Sequence, residues 1–223
     1  MTTETRPTRG HRFWDLTSSA MGVAERLPTA RTMHQAMRNA TGLHPGAAVL
    51  DLGCGTGSYF EPLREAIGPE GRLLGVDSSP GMLRRARKRV HRHGWQNVDV
   101  QQADATTTDL GTAEFDAVFA MYSLSAMPDT AAATQRIHTA LRPGGVLFLA
   151  DVRLVPEGRA AGLVRLLRSA YRKFSHATGE DVVPHVRRTF GAIQTVDHDG
   201  RPGPDELRSW PPLVMLTARK EPA

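Results

Sequence analysis

Four aspartates, Asp51, Asp77, Asp104 and Asp151, fall at or near the ends of strand-like stretches. The first is followed by Gly53, Gly55 and Gly57 at every second position. A strand that turns through glycines into a helix presents backbone amides at the carboxyl edge of a sheet, where an anionic or polar ligand fits. Alternate glycines admit dihedrals that side chains block, and they let a ligand lie directly on the backbone. An acid at a strand end serves equally well as a helix cap or turn former, and both readings stand for Asp104 and Asp151.

These residues need a scaffold, and the chain alternates in the way that supplies one. His44-Pro45-Gly46 turns into AAVLDL as a first strand, and SYFEPLREAI supplies a helix ended by Gly68-Pro69. RLLGVD (72–77) is a second strand, after which Ser79-Pro80 caps and opens a helix reaching about His93. NVDVQQA (97–103) and the almost continuously apolar FDAVFAMY (115–122) are strands three and four. A helix over 130–141, a turn at LRPGG and a fifth strand, VLFLAD (146–151), complete the run. Such alternation predicts a doubly wound α/β sheet, which binds ligands at the carboxyl ends of its strands.

Beyond strand five the alternation stops. Residues 160–174 are amphipathic: Ala160, Leu163, Val164, Leu167, Ala170, Tyr171 and Phe174 mark one stripe, and Arg165, Arg168, Arg172 and Lys173 load the other side. A short helix over 180–189 is followed by IQTVDH (193–198) and VMLTARK (214–220), an expected antiparallel terminal hairpin on the end of the sheet. The segment 154–189 then reads as a substrate-side insertion. Residues 13–41, helical and interrupted at Pro28, read as N-terminal cap helices, and the polar residues 1–12 as a flexible tail on a single domain spanning 13–223.

Composition narrows the class. A chain of 223 residues with 40% hydrophobic and 23% charged residues can bury a substantial core. The single cysteine, Cys54, lies inside the glycine turn, so neither a disulfide framework nor a cysteine-rich metal site exists. The opening residues lack a secretory signal pattern and no run reaches membrane-spanning length, which suits a cytoplasmic protein. Net charge is +5, concentrated in RRARKRVHRH (84–93) and in 159–173; these are solvated helix faces or patches for phosphate and anionic lipid.

Motifs decide among nucleotide-binding folds. The hydride-transfer fingerprint G-x-G-x-x-G is not met, because Gly53, Gly55 and Gly57 are followed by Ser58 and Tyr59. No P-loop, zinc-deaminase, zincin or nucleophile-elbow pattern occurs. In order, VLDLGCGTG (49–57), GVDSSPGML (75–83), ADA (103–105), FDAVFAMYSLSAMPD (115–129) and LRPGGVLFLAD (141–151) resemble the motifs of class I S-adenosylmethionine-dependent methyltransferases. The resemblance is strong over 45–151 and nearest to the small-molecule branch that includes quinone and phospholipid amine methyltransferases.

The resemblance implies a Rossmann-like, seven-stranded sheet, mostly parallel with an antiparallel terminal hairpin and helices on both faces. It implies S-adenosyl-L-methionine as cofactor, its methionine portion lined by Asp51, Gly53, Gly55 and Gly57. Asp77 would accept from the ribose hydroxyls, and Ser78 and Met82 would flank the adenine. Asp104 would accept from the adenine amino group beside the Ala105 amide, and Ala120, Met121 and Tyr122 would close the sulfonium side. No metal is implied.

Methyl transfer by in-line displacement asks chiefly for alignment and exclusion of water, with a general base where the acceptor is a hydroxyl or carbon acid. Candidate bases are His34, His176 and His185, with Tyr122 as an orienting hydroxyl; surface and packing roles are the alternative for each histidine. Asp181, four residues before His185, singles that histidine out. The expected acceptor is a small hydrophobic or amphipathic molecule, methylated on oxygen or nitrogen in specialised metabolism. Phospholipid amines, quinones, nucleic acid, and a cofactor-binding fold with a non-methylating role are the alternatives. Nucleic-acid amines are disfavoured because [DNS]-P-P-[YFW] is replaced by Ala120-Met121-Tyr122-Ser123. Residues 160–174 point to a possible contact with anionic membrane; nothing in the sequence speaks to oligomeric state.

Overall fold

The computed structural model describes residues 28–156, 161–175, 180–203 and 213–223. The expected tail over 1–12, the first cap helix before Pro28 and the candidate base His176 lie outside the described residues. Helix α1 (Pro28–Thr41) leads into β1 (Ala48–Leu52), α2 (Phe60–Ile67), β2 (Arg72–Asp77), α3 (Pro80–His93), β3 (Val98–Gln102) and β4 (Phe115–Met121). A 3₁₀ turn (Leu124–Ala126) precedes α4 (Thr130–Ala140) and β5 (Leu141–Val152). Then come α5 (Ala161–Ser175), α6 (Val183–Phe190), β6 (Gln194–Thr195) and β7 (Leu213–Arg219).

The strands form one seven-stranded sheet in the order β3-β2-β1-β4-β5-β7-β6. The first five are parallel; β7 runs antiparallel to β5, and β6 antiparallel to β7. This is the predicted doubly wound sheet with its terminal antiparallel pair. The strand order reverses between β1 and β4, the switch point at which such sheets open a crevice.

Both faces are covered. Val49, Leu73, Phe119 and Phe148 pack with Phe60, Leu63, Ile67, Leu83 and Met37 from α1, α2 and α3. Leu50, Leu52, Val118, Leu147 and Leu149 pack on the opposite face with Ile137 of α4 and Val183, Val186 and Phe190 of α6. Central strands buried on two faces lose the polar alternation of a one-sided sheet, as β1 and β4 show.

Two elements differ from their sequence reading. Strand β5 begins at Leu141, inside LRPGG, because the turn residues are held from outside. The Gly144 amide donates to the Lys220 carbonyl at 3.0 Å and the Lys220 amide to the Gly145 carbonyl at 2.9 Å. The register against β4 jumps from Phe115↔Leu141 to Ala117↔Val146, so the extra residues form a bulge. In α5 the expected apolar stripe does not all face inward: Val164 is buried, whereas Leu163 and Leu167 are 53% and 40% exposed; Leu166, outside that stripe, is 67% exposed.

Candidate functional site

At the switch point β1 delivers Asp51 to the sheet's carboxyl edge. Its side chain is buried, and neither carboxylate oxygen has a hydrogen-bond partner. Burial, reinforced by the nearby charge of Asp77, pushes its carboxyl up to about 7. A buried acid with both oxygens unmatched is expensive to keep, and a cation bearing N–H donors is the group that would relieve it.

The glycine turn follows this acid in the chain. Gly53, Gly55 and Gly57 all have positive φ, at 73°, 55° and 76°. A Cβ on Gly53 would collide with Ser123, and one on Gly57 would come within 2.6 Å of the Phe60 ring, whereas nothing lies within 4 Å of that position on Gly55. The outer two glycines are therefore demanded by packing, and the middle one faces open space. The turn's own amides are engaged: Gly53 and Cys54 donate to the Val76 carbonyl at 2.7 and 3.0 Å, and Gly57 to Cys54 at 2.9 Å.

Asp77 closes β2 beside this turn. Its Oδ2 accepts from the Gly55 amide at 2.9 Å and its Oδ1 from the Ser79 amide at 2.8 Å. Ser79 in turn caps α3, its Oγ accepting from the Met82 amide at 3.2 Å, as the Ser-Pro pair predicts. From the third turn of that helix, Arg89 reaches back to the Gly57 carbonyl at 3.1 Å and braces the loop. Ser78 is half-buried and Met82 buried on the first turn. Asp104 stands exposed past β3, where its Oδ1 accepts from both the amide and the hydroxyl of Thr106. That is turn-forming behaviour, and it keeps the carboxylate at the edge, next to buried Ala105.

The wall across from the glycine turn is the exit of β4. Ala120 and Met121 are buried at its end, and Tyr122 follows with φ 54°, one of only two non-glycine residues with positive φ among the described residues. Its amide donates to Ala150 at 2.6 Å, and the next hydroxyl, Ser123, donates to the Leu52 carbonyl at 2.7 Å. A bulky residue in this region marks a backbone held by its surroundings. Burial, and then the charge of Asp151, raise the Tyr122 phenol above its ordinary value, so it is a protonated hydroxyl at neutral pH.

Asp151 is structural in its contacts: it accepts from the Ser125 hydroxyl at 2.6 Å and from the Ser125 and Val152 amides at 2.8 and 2.7 Å. The histidines are separated. His34 on α1 sets its ring edge-on to Tyr59, centroids 5.9 Å apart, and burial lowers its pKa, so it is neutral at pH 7. His185 on α6 meets Glu180, Nε2 to Oε2 3.5 Å. Asp181, expected to serve His185, spends its carboxylate on Arg153 at 2.9 Å and on the Val183 amide at 3.1 Å. Arg153 and Ser125 escaped sequence reasoning, since both matter through partners distant in the chain. No group of three or more metal-ligating side chains occurs among the described residues.

Residues 49–145 match the family described as "Methyltransferase domain". The chain is 37% identical over 100 residues to an aklanonic acid methyltransferase of Streptomyces sp. (strain C5), covering 45% of this chain and 46% of that protein. It is 34% identical over 116 residues to a demethylmenaquinone methyltransferase of Lactococcus lactis, covering 52% and 44%. The chain thus spans about half the length of the curated relatives it matches. Among solved structures, an Aquifex aeolicus SAM-dependent methyltransferase superposes with TM-score 0.63 at 16% identity, covering 91% of this chain and 97% of that one. A [4+2]-cyclase superposes with TM-score 0.69 at 21% identity, covering 97% and 98%.

Proposed function

We infer that this chain is a class I S-adenosylmethionine-dependent methyltransferase that methylates a small hydrophobic or amphipathic acceptor, at an oxygen or nitrogen of a specialised metabolite. The observation that carries this reading is Asp51, a buried carboxylate with both oxygens unpartnered, four residues before Gly55, whose Cβ position faces open space. When bound, S-adenosylmethionine supplies an electrophilic methyl group on a sulfonium, open to in-line displacement by the acceptor.

The residues fit that cofactor. Asp51 supplies the acceptor for its ammonium group and Gly55 leaves room for its chain. Asp77, already aligned by two amides, offers carboxylate lone pairs to the ribose hydroxyls. Ser78 and Met82 flank the base, and Asp104 with Ala105 reads its edge. Ala120, Met121 and Tyr122 bound the methyl side, with the Tyr122 hydroxyl orienting the acceptor. His34, neutral at pH 7, can receive an acceptor proton. His185 serves the acceptor side from α6.

The test is incubation with methyl-labelled cofactor and fractionated small metabolites. Labelled product and stoichiometric S-adenosylhomocysteine support the reading. Cofactor binding without turnover on any acceptor favours the non-methylating alternative, and transfer to RNA or DNA the nucleic-acid one.

The exposed leucines of α5 favour a second feature, peripheral contact with anionic membrane. Leu163, Leu166 and Leu167 form an outward apolar sector beside exposed Arg165, Arg172 and Lys173. No helix among the described residues is long and apolar enough to cross a membrane. Cosedimentation with phosphatidylglycerol vesicles, weakened by salt and by Leu166→Ser, is the expected outcome; equal recovery with and without vesicles refutes it.

A further inference from the structure

Arg153 leaves the sheet at the end of β5, two residues beyond Asp151 and beside the strand that delivers Tyr122. Its side chain is only 10% exposed, a costly place for a guanidinium unless its N–H groups are matched. Asp181 matches only part of it: Nη2 and Nε approach the same oxygen, Oδ2, at 2.9 and 3.1 Å, while Oδ1 is turned to the Val183 amide. Nη1 is buried with no acceptor. His185, two residues beyond Val183 on the first turn of α6, also buries an unpartnered nitrogen, Nδ1. Two buried nitrogens, Arg153 Nη1 and His185 Nδ1, thus go unmet, a rare situation unless something else supplies a partner.

We propose that Arg153 is an anchor for an acidic oxygen function, a carboxylate or an ionised enol or phenol, on the methyl acceptor. An anionic oxygen is the partner that a desolvated guanidinium N–H binds best, and charge-assisted bonds are about twice as strong as neutral ones. The position suits specificity. Arg153 sits past β5, on the insertion side, whereas Asp51 and Asp77 close β1 and β2. Arg153 therefore selects the acceptor without touching the cofactor.

This anchor rests on the methyltransferase reading, and the test separates the two. The full chain is first titrated with S-adenosylhomocysteine, a step on which the cofactor site alone depends. The saturated protein is then titrated with 1-hydroxy-2-naphthoate and with its methyl ester, a matched acidic and neutral pair. The acid is expected to bind about tenfold tighter than the ester, and Arg153→Met to erase that preference while S-adenosylhomocysteine binding is unchanged. Asp181→Asn, which removes the competing carboxylate, is expected to tighten the acid severalfold; a merely structural pair would loosen it. Wild-type and Asp181→Asn keep the test decisive if Arg153→Met does not fold. Equal affinity for acid and ester, parallel loss of both in Arg153→Met, or no binding of either ligand to the saturated wild type overturns the anchor.

Discussion

Replacing Asp51 with asparagine should stabilise the empty protein above neutral pH while weakening its hold on cofactor. The carboxyl is raised from 3.8 to about 7 by burial and by Asp77. A group whose folded pKa exceeds its unfolded value binds more protons in the native state between those two values. Its penalty is therefore absent below about pH 4, grows as pH rises, and is complete above pH 7. A shift of roughly three units at about 1.4 kcal/mol each puts the full penalty near 4 kcal/mol. The amide of Asp51→Asn is also buried without partners, which returns about 1–3 kcal/mol. The variant should thus match or exceed wild-type stability at pH 8 and lose that advantage steadily as pH falls to 5. Urea unfolding of both proteins across pH 5–8 reads the difference, and subtraction cancels titrations they share. A stability difference that is flat over this range, or that moves in favour of wild type as pH rises, refutes the buried-acid assignment. S-adenosylhomocysteine, by bringing an ammonium group to the ionised carboxylate, should restore wild type and do little for the variant, with proton release on binding visible by calorimetry in two buffers.

Asp77→Ala should weaken S-adenosylhomocysteine at least tenfold by calorimetry and lower the melting temperature by a few degrees, because the Gly55 and Ser79 amides lose their acceptor; an unchanged dissociation constant contradicts its role. Gly55→Val should abolish cofactor binding, since the side chain enters the open face, and should cost about 1–2 kcal/mol from its positive φ. Gly57→Ala should instead damage the fold through Phe60, seen as a larger loss in urea midpoint than for Gly55→Val; the opposite order would show the open face misplaced. Ser125→Ala removes a 2.6 Å donor from buried Asp151 and should destabilise the chain by about 1–3 kcal/mol on chemical unfolding.

Much of the candidate site's local geometry was legible because its determinants are local. Ser79-Pro80 caps α3 through a bond spanning three residues, and the acids at strand ends follow from where apolar runs stop. What stayed hidden depends on partners far along the chain. Gly75 reads as an ordinary strand residue, yet a Cβ there would strike the Phe60 ring, which fills the space beneath it. LRPGG reads as a turn, yet Lys220 draws it into β5 from 75 residues away. Asp181 lies four residues before His185 in sequence, yet it precedes α6 and its carboxylate turns to Arg153, 28 residues earlier. The leucines of α5 share their spacing with core residues, and only the packing of Val164 alone reveals that they face outward.

The most direct measurement is a crystal structure grown with S-adenosylhomocysteine. The expected density places the ligand's amino group within hydrogen-bonding distance of Asp51 and its ribose hydroxyls at Asp77, with the chain between them passing over Gly55. Density that leaves this edge without ligand at saturating concentration, or that fills it with the protein's own side chains, contradicts the cofactor site and the methyl transfer that depends on it.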